Sequence, residues 1–208
     1  HYTVREPRSR ASPCRTVVLS HALGCDVSLW DALANALAAE HRVICYDHRG
    51  HGDSEVPAGP YTIAELADDA ERLLAELDTG PVVWIGLSLG GMVGQELALR
   101  HPRRVEALVI ANSSAGFDEA GRNAWQQRID AVAQGGVDAV ADAAMQRWFT
   151  ADFRSAQPAT VARWRRRVAS TPGHGYVAAS QAVMRHDTAA RLPQISAPTL
   201  VIAGALDP

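Results

Sequence analysis

Short continuous apolar runs alternate with longer amphipathic ones along this chain. Thr16-Val17-Val18-Leu19-Ser20, Arg42-Val43-Ile44-Cys45-Tyr46, residues 82–85, residues 105–111 and Pro198-Thr199-Leu200-Val201-Ile202-Ala203-Gly204 have the length and β-branched content of buried strands. An opening strand over His1–Arg5 precedes them. Helices are expected between them, over about Ser28–Glu40, from Thr62 onward, and over residues 89–100. The second has a defined start, because Thr62 with Glu65 three residues on makes a capping box behind Pro60. Ile63, Leu66, Ala67, Ala70, Leu73, Leu74 and Leu77 then keep the spacing of one buried stripe. The third is stopped by Pro102. Strand and helix in alternation predict an α/β fold, a mostly parallel sheet with helices on both faces.

The rhythm changes between Asn112 and about Ala190, where no strand-like run interrupts a stretch rich in Ala, Arg, Gln and Trp. This predicts a helical lid inserted into the sheet domain. The division is then residues 1–112 for the first part of the core, 113–188 for the lid and 189–208 for the return to the sheet. Trp125, Met145, Trp148, Phe149, Phe153, Trp164 and Tyr176 give the lid more aromatic and sulfur bulk than the sheet carries. Arg163, Arg165, Arg166 and Arg167 read as a solvated helix face. A slightly positive lid over a negative body also suits an anionic substrate.

Composition removes several function classes. With 208 residues and 47% apolar content the chain can bury a full core. A net charge of −3 gives no reason to expect nucleic acid, and all 20 basic residues are arginine. No apolar run approaches transmembrane length and none resembles a signal peptide ahead of the first strand, so no membrane partner and a cytoplasmic location are expected. Cys14, Cys25 and Cys45 lack metal-ligand spacing and are expected to be reduced thiols.

The chemistry concentrates at Gly86-Leu87-Ser88-Leu89-Gly90, a G-x-S-x-G sequence at the junction of a buried strand and a helix. In this motif a sharp turn holds the serine in a strained conformation with its hydroxyl exposed above the sheet, and small flanks let the backbones approach. Ser88 is therefore the candidate nucleophile. Asp207 follows the last apolar run by a few residues. A carboxylate there lies at the sheet edge where open α/β folds place their sites, and it can orient a histidine. It can equally cap a following helix.

Ser20-His21-Ala22-Leu23-Gly24, Tyr46-Asp47-His48-Arg49-Gly50-His51-Gly52-Asp53-Ser54, Gly86 to Gly91 and Pro198 to Asp207 resemble the α/β-hydrolase family along the whole chain. Gly86 to Gln95, Ala111-Asn112-Ser113-Ser114 and Arg147-Trp148-Phe149-Thr150 are most similar to the 3-oxoadipate enol-lactonases within it. The resemblance implies Ser88 as nucleophile and Asp207 as the acid of a Ser…Asp…His order. It implies an oxyanion hole from the backbone N–H groups of Leu23 and Leu89, with Arg147 and Trp148 meeting the substrate carboxylate. It also implies hydrolysis of a small anionic lactone or ester through an acyl-enzyme, with no metal or organic cofactor. A general carboxylesterase, a carbon–carbon bond hydrolase and a haloperoxidase-like esterase share these motifs. A hydrolase fold that serves as a non-catalytic binding module is the reading from another class.

The order of the triad leaves one member unassigned. His1, His21, His41, His48, His51, His101, His174 and His186 all precede Asp207. His186, in the lid, is the one other candidate for the base. The chain is expected to be cut at both ends, and the family resemblance implies a general-base histidine roughly 25 to 30 residues beyond Asp207, in the Ser…Asp…His order.

Overall fold

The computed structural model describes residues 1–8 and 14–207. Strands β1 (Tyr2–Arg5), β2 (Thr16–Ser20), β3 (Arg42–Tyr46), β4 (Val82–Leu87), β5 (Val105–Ala111) and β6 (Thr199–Ile202) form one sheet in the spatial order β1-β3-β2-β4-β5-β6. β1 is antiparallel to β3, and the other pairs are parallel. Alternate side chains serve two cores, as the period of a strand requires. Val17, Leu19, Val43 and Cys45 face Trp30 and Ala34 of α1 (Asp31–Leu37) and the turn before it. Val18, Ile44, Trp84 and Leu108 face α2 (Ile63–Glu76) and α3 (Leu89–Arg100) on the other side.

Both halves of the Thr62–Glu65 capping box are present, and Ile63, Leu66, Ala67, Ala70 and Leu74 are buried along one stripe of α2. The single helix expected over Ser28–Glu40 is instead a 3-10 turn, Val27–Trp30, followed by the shorter α1. Asp26 causes the break at the start, since its carboxylate accepts from the Ser28 N–H at 2.9 Å and fixes the tighter turn. At the other end the Ala39 and Glu40 N–H groups reach back only three residues, to Ala36 and Leu37. β4 runs two residues longer than its apolar core suggests, because Gly86 and Leu87 still pair with Ile110 and Ala111.

Between β5 and β6 lie α4 (Glu119–Gly135), α5 (Asp138–Trp148), α6 (Ala151–Ala156), α7 (Pro158–Ala169) and α8 (Gly173–Met184). An antiparallel bridge between Gly116 and Asp187 closes the base of this insertion. α4 packs on α8 and α5, and α5 packs on α7. Ile129 and Val132 of α4, Met145 of α5, Val168 of α7 and Tyr176 of α8 are buried there. Arg165 of the arginine-rich helix is paired with Asp138 and Asp142, and Arg167 with the buried Asp26. No described helix is long and apolar enough to cross a membrane.

Candidate active site

Ser88 stands between the last residue of β4 and the first of α3, with φ +52° and ψ −111°. A non-glycine residue in this region costs about 1–3 kcal/mol and persists only where its surroundings hold it. Here the Ser88 N–H donates to the Ala111 carbonyl at 2.9 Å, and the Ser88 carbonyl accepts from Gly91 and Met92 N–H and from Ser113 Oγ at 2.7 Å. The flanking glycines are demanded by close backbone approach. A Cβ at Gly86 would fall on the Gly90 carbonyl, and one at Gly90 on the Ser20 carbonyl. Trp84 adds a brace from below, its indole N–H donating to the Gly90 carbonyl at 3.0 Å. The half-buried Ser88 thus sits at the N-terminus of α3, where the helix field favours negative charge.

Two backbone donors near this turn are uncommitted. Among the described residues, neither the Leu89 N–H nor the Leu23 N–H has a protein acceptor. Leu89 opens α3, so its N–H is free by helical geometry. Leu23 lies in the loop after β2, whose shape is set by a buried histidine cluster. The His48 backbone N–H donates to His21 Nε2 at 3.0 Å, which puts the His21 proton on Nδ1, where it reaches the Ala22 carbonyl at 2.8 Å. The His21 and His48 rings meet edge to face at 4.5 Å between centroids, and the His21 and His51 centroids are 5.3 Å apart. Burial pushes His21 down to about 4 and His51 to about 3, and holds His48 well below the usual range. All three are neutral braces near neutral pH. Gly24 continues the loop at φ +74°, with Tyr176 and Val168 of the insertion packed against its open side.

Asp207 lies just past β6, next to the end of β5. Asn112, at φ +42°, donates from Nδ2 to Asp207 Oδ2 at 2.6 Å, and its backbone N–H donates to the Ile202 carbonyl. Ser88, Asn112 and Asp207 therefore follow the C-terminal ends of three adjacent strands, β4, β5 and β6. Ligand sites of open α/β sheets form at this edge.

No described histidine is hydrogen-bonded to Ser88 Oγ or to Asp207. His1 is paired with Asp47 and His101 with Asp68. His186, the alternative base from the sequence, is buried against Gln95 and Thr188, with Nε2 3.2 Å from Thr188 Oγ1. Gln95 joins the nucleophile helix to both ends of the insertion, since its amide donates to the Ser114 carbonyl and accepts from Thr188 Oγ1. Beside it the buried Glu96 is paired with Arg191.

Of the two lid residues expected at a substrate carboxylate, Arg147 is half-buried and Trp148 is 38% exposed at the end of α5. Burial and the nearby charge of Arg128 hold the Arg147 guanidinium below its usual range. Arg128 belongs to no sequence motif, and Asn112 and Gln95, though inside motif segments, and Tyr176, among the lid aromatics, are given no individual role by the sequence; each acquires its place through packing between elements far apart in the chain. Among the described residues, His1, Asp47 and Asp53 come close enough to share a metal ion. The Asp47 carboxylate there already accepts from Val27 and Asp53 N–H, which accounts for it as a loop brace. Cys25 and Cys45 are free and buried, and burial raises both thiols.

Comparison with known proteins gives a consistent family. The family described as alpha/beta hydrolase fold matches residues 15–208. The chain is 38% identical over 192 residues to 3-oxoadipate enol-lactonase 2 of Acinetobacter baylyi, covering 92% of this chain and 71% of that protein. It is 34% identical over 197 residues to a protein of Yersinia enterocolitica named as a carbamate hydrolase, RutD, covering 93% and 70%. The crystal structure of the enol-lactonase from Burkholderia xenovorans LB400 superposes with a TM-score of 0.92 at 36% identity, covering 99% of this chain and 77% of that one.

Proposed function

Since this chain belongs to the alpha/beta hydrolase fold family, we propose that it is a serine hydrolase of small carboxylic esters or lactones, with 3-oxoadipate enol-lactone as substrate. The observation that carries this reading is the Ser88 turn, a strained serine at a helix N-terminus flanked by two uncommitted backbone N–H groups. Ser88 Oγ attacks the lactone carbonyl and passes its proton to a base. The ring C–O bond breaks, the leaving enol oxygen takes that proton, and the enol tautomerises to the ketone. Water, deprotonated by the same base, then cleaves the acyl-Ser88 ester and releases 3-oxoadipate. The N–H groups of Leu23 and Leu89 hold the oxyanion in both tetrahedral intermediates, and losing one such donor typically costs about 10²- to 10³-fold in rate.

Asp207 serves as the acid that orients the base. The base is not assigned to any of the described histidines, none of which is hydrogen-bonded to Ser88 Oγ or to Asp207. The similarity to enol-lactonases supports the substrate, and the carbamate hydrolases are the competing relatives. Turnover of 3-oxoadipate enol-lactone, a neutral aryl ester, a carbamate and a carbon–carbon ring-cleavage product by the full-length protein separates the readings. A kcat/KM highest for the enol-lactone, and abolished in Ser88→Ala, is expected. A preference for the carbamate or the ring-cleavage product would replace the substrate assignment.

A further inference from the structure

The Leu23 N–H shares a trans peptide plane with the Ala22 carbonyl and points the opposite way, so whatever holds that carbonyl aims the donor. Two groups hold it. His21 Nδ1–H donates to it at 2.8 Å and the Cys25 N–H at 3.1 Å. The first belongs to the histidine cluster of the core. The second depends on the turn Gly24-Cys25-Asp26, and the insertion grips that turn. Tyr176 of α8 and Val168 of α7 lie 3.3 and 3.4 Å from the position a Cβ would take on Gly24. Arg167, beside Val168, reaches Asp26 Oδ2 at 2.6 Å through Nη1. The Asp26 carboxylate is buried, and its other oxygen accepts from the Ser28 N–H at 2.9 Å and the Ser28 Oγ at 2.6 Å. Arg167 therefore departs from the solvated face expected of the α7 arginines. Arg165, on the same helix, is paired inside the insertion with Asp138 and Asp142, whereas the Arg167 pair crosses from the insertion to the loop after β2.

We propose that the insertion aims the oxyanion donor: Arg167, acting through Asp26 and the Cys25 N–H, fixes the Ala22–Leu23 peptide and with it the direction of the Leu23 N–H. The catalytic use of that donor rests on the hydrolase reading above, and the clamp on the turn does not. Arg167 and Asp26 are positioning residues, since they act through the Leu23 peptide. An oxyanion donor works only if it is aimed before the charge develops, and an offset of about 1 Å can cost about 10²-fold in rate. Removing the guanidinium leaves the Asp26 charge buried and unpaired, so the turn shifts toward water. The clamp acts on the oxyanion, which is common to all acyl substrates, and its effect is independent of the acyl group.

In the full-length protein, Arg167→Gln should lower kcat by about 10- to 50-fold for both 3-oxoadipate enol-lactone and 4-nitrophenyl acetate, with KM within about twofold of wild type. Affinity for phenylboronic acid, whose tetrahedral adduct on Ser88 sets an oxygen in the oxyanion hole, should fall in parallel. Arg167→Lys should recover most of the loss. Asp26→Asn should reproduce it, with no further loss in the double variant. Arg165→Gln removes an arginine from the same helix and should leave kcat unchanged. Hydrogen exchange read by mass spectrometry needs no turnover, and a peptide spanning residues 25–28 should exchange faster in Arg167→Gln and not in Arg165→Gln. Unchanged exchange in Arg167→Gln would overturn the clamp, and faster exchange with unchanged kcat would overturn its part in catalysis. If the wild-type protein hydrolysed neither substrate, the hydrolase reading would fail, and exchange would still decide the clamp.

Discussion

The Asn112 amide donates to Asp207 Oδ2 at 2.6 Å while its own backbone sits at φ +42°. One residue thereby anchors the carboxylate proposed to orient the base and makes the turn out of β5. Asparagine tolerates a positive φ better than other side chains, and its amide supplies the donor. The two roles separate by substitution. Asn112→Gly keeps the backbone and deletes the donor, so kcat of the full-length protein should fall about 3- to 10-fold with little loss of stability. Asn112→Ala adds backbone strain, and its thermal midpoint should drop as well. Equal kcat for Asn112→Gly and wild type would separate Asn112 from the function of Asp207.

Gly90 is the tightest point of the nucleophile turn, because a Cβ there would meet the Ser20 carbonyl. Backbone cannot yield as a flexible side chain does. Gly90→Ala should therefore cost at least about 3 kcal/mol in urea unfolding and leave little folded protein. A folded, fully active Gly90→Ala protein would show that this approach is not needed.

The histidine cluster links the Leu23 loop to acid stability. Unfolded histidine charges near 6.5, whereas folded His21 and His51 charge only near about 4 and about 3. The unfolded chain therefore holds more protons over that interval. Stability is fully present above about pH 6.5 and falls as pH drops, by up to about 1.4 kcal/mol per pH unit for each ring. Urea melts at several pH values check this slope, and His51→Gln should lower it by one ring's share. A flat dependence between pH 4 and pH 6.5 would contradict it.

What could be read in the sequence is what the backbone dictates locally. Gly86, Gly90 and the helix behind Ser88 are written into adjacent residues, because the close approaches there forbid side chains. The Thr62–Glu65 cap and the stripe of α2 are equally local. The individual roles of Tyr176 and Asn112 were not legible, although the sequence names Tyr176 among the lid aromatics and Asn112 within a family-like segment, because those roles arise between elements. Tyr176 reaches Gly24 only once α8 has packed over the β2 loop, and Asn112 reaches Asp207 across 95 positions. Gln95 lies on a helix whose whole circumference near its start is buried, so periodicity gave no sign that its amide ties the two ends of the insertion to the nucleophile helix. The Ser28–Glu40 segment departs from a single helix at both ends, because a capping contact from Asp26 converts its first turn and the Ala39 and Glu40 N–H groups tighten its last.

The central claim is that Ser88 is the nucleophile of an acyl-transfer reaction. A fluorophosphonate probe applied to the full-length protein, followed by peptide mass spectrometry, tests it directly. The account predicts one covalent adduct on the peptide containing Ser88, loss of hydrolysis in proportion to labelling, and no adduct in Ser88→Ala. A protein that hydrolyses its ester substrate while Ser88 stays unlabelled, or a Ser88→Ala variant that retains turnover, would contradict it.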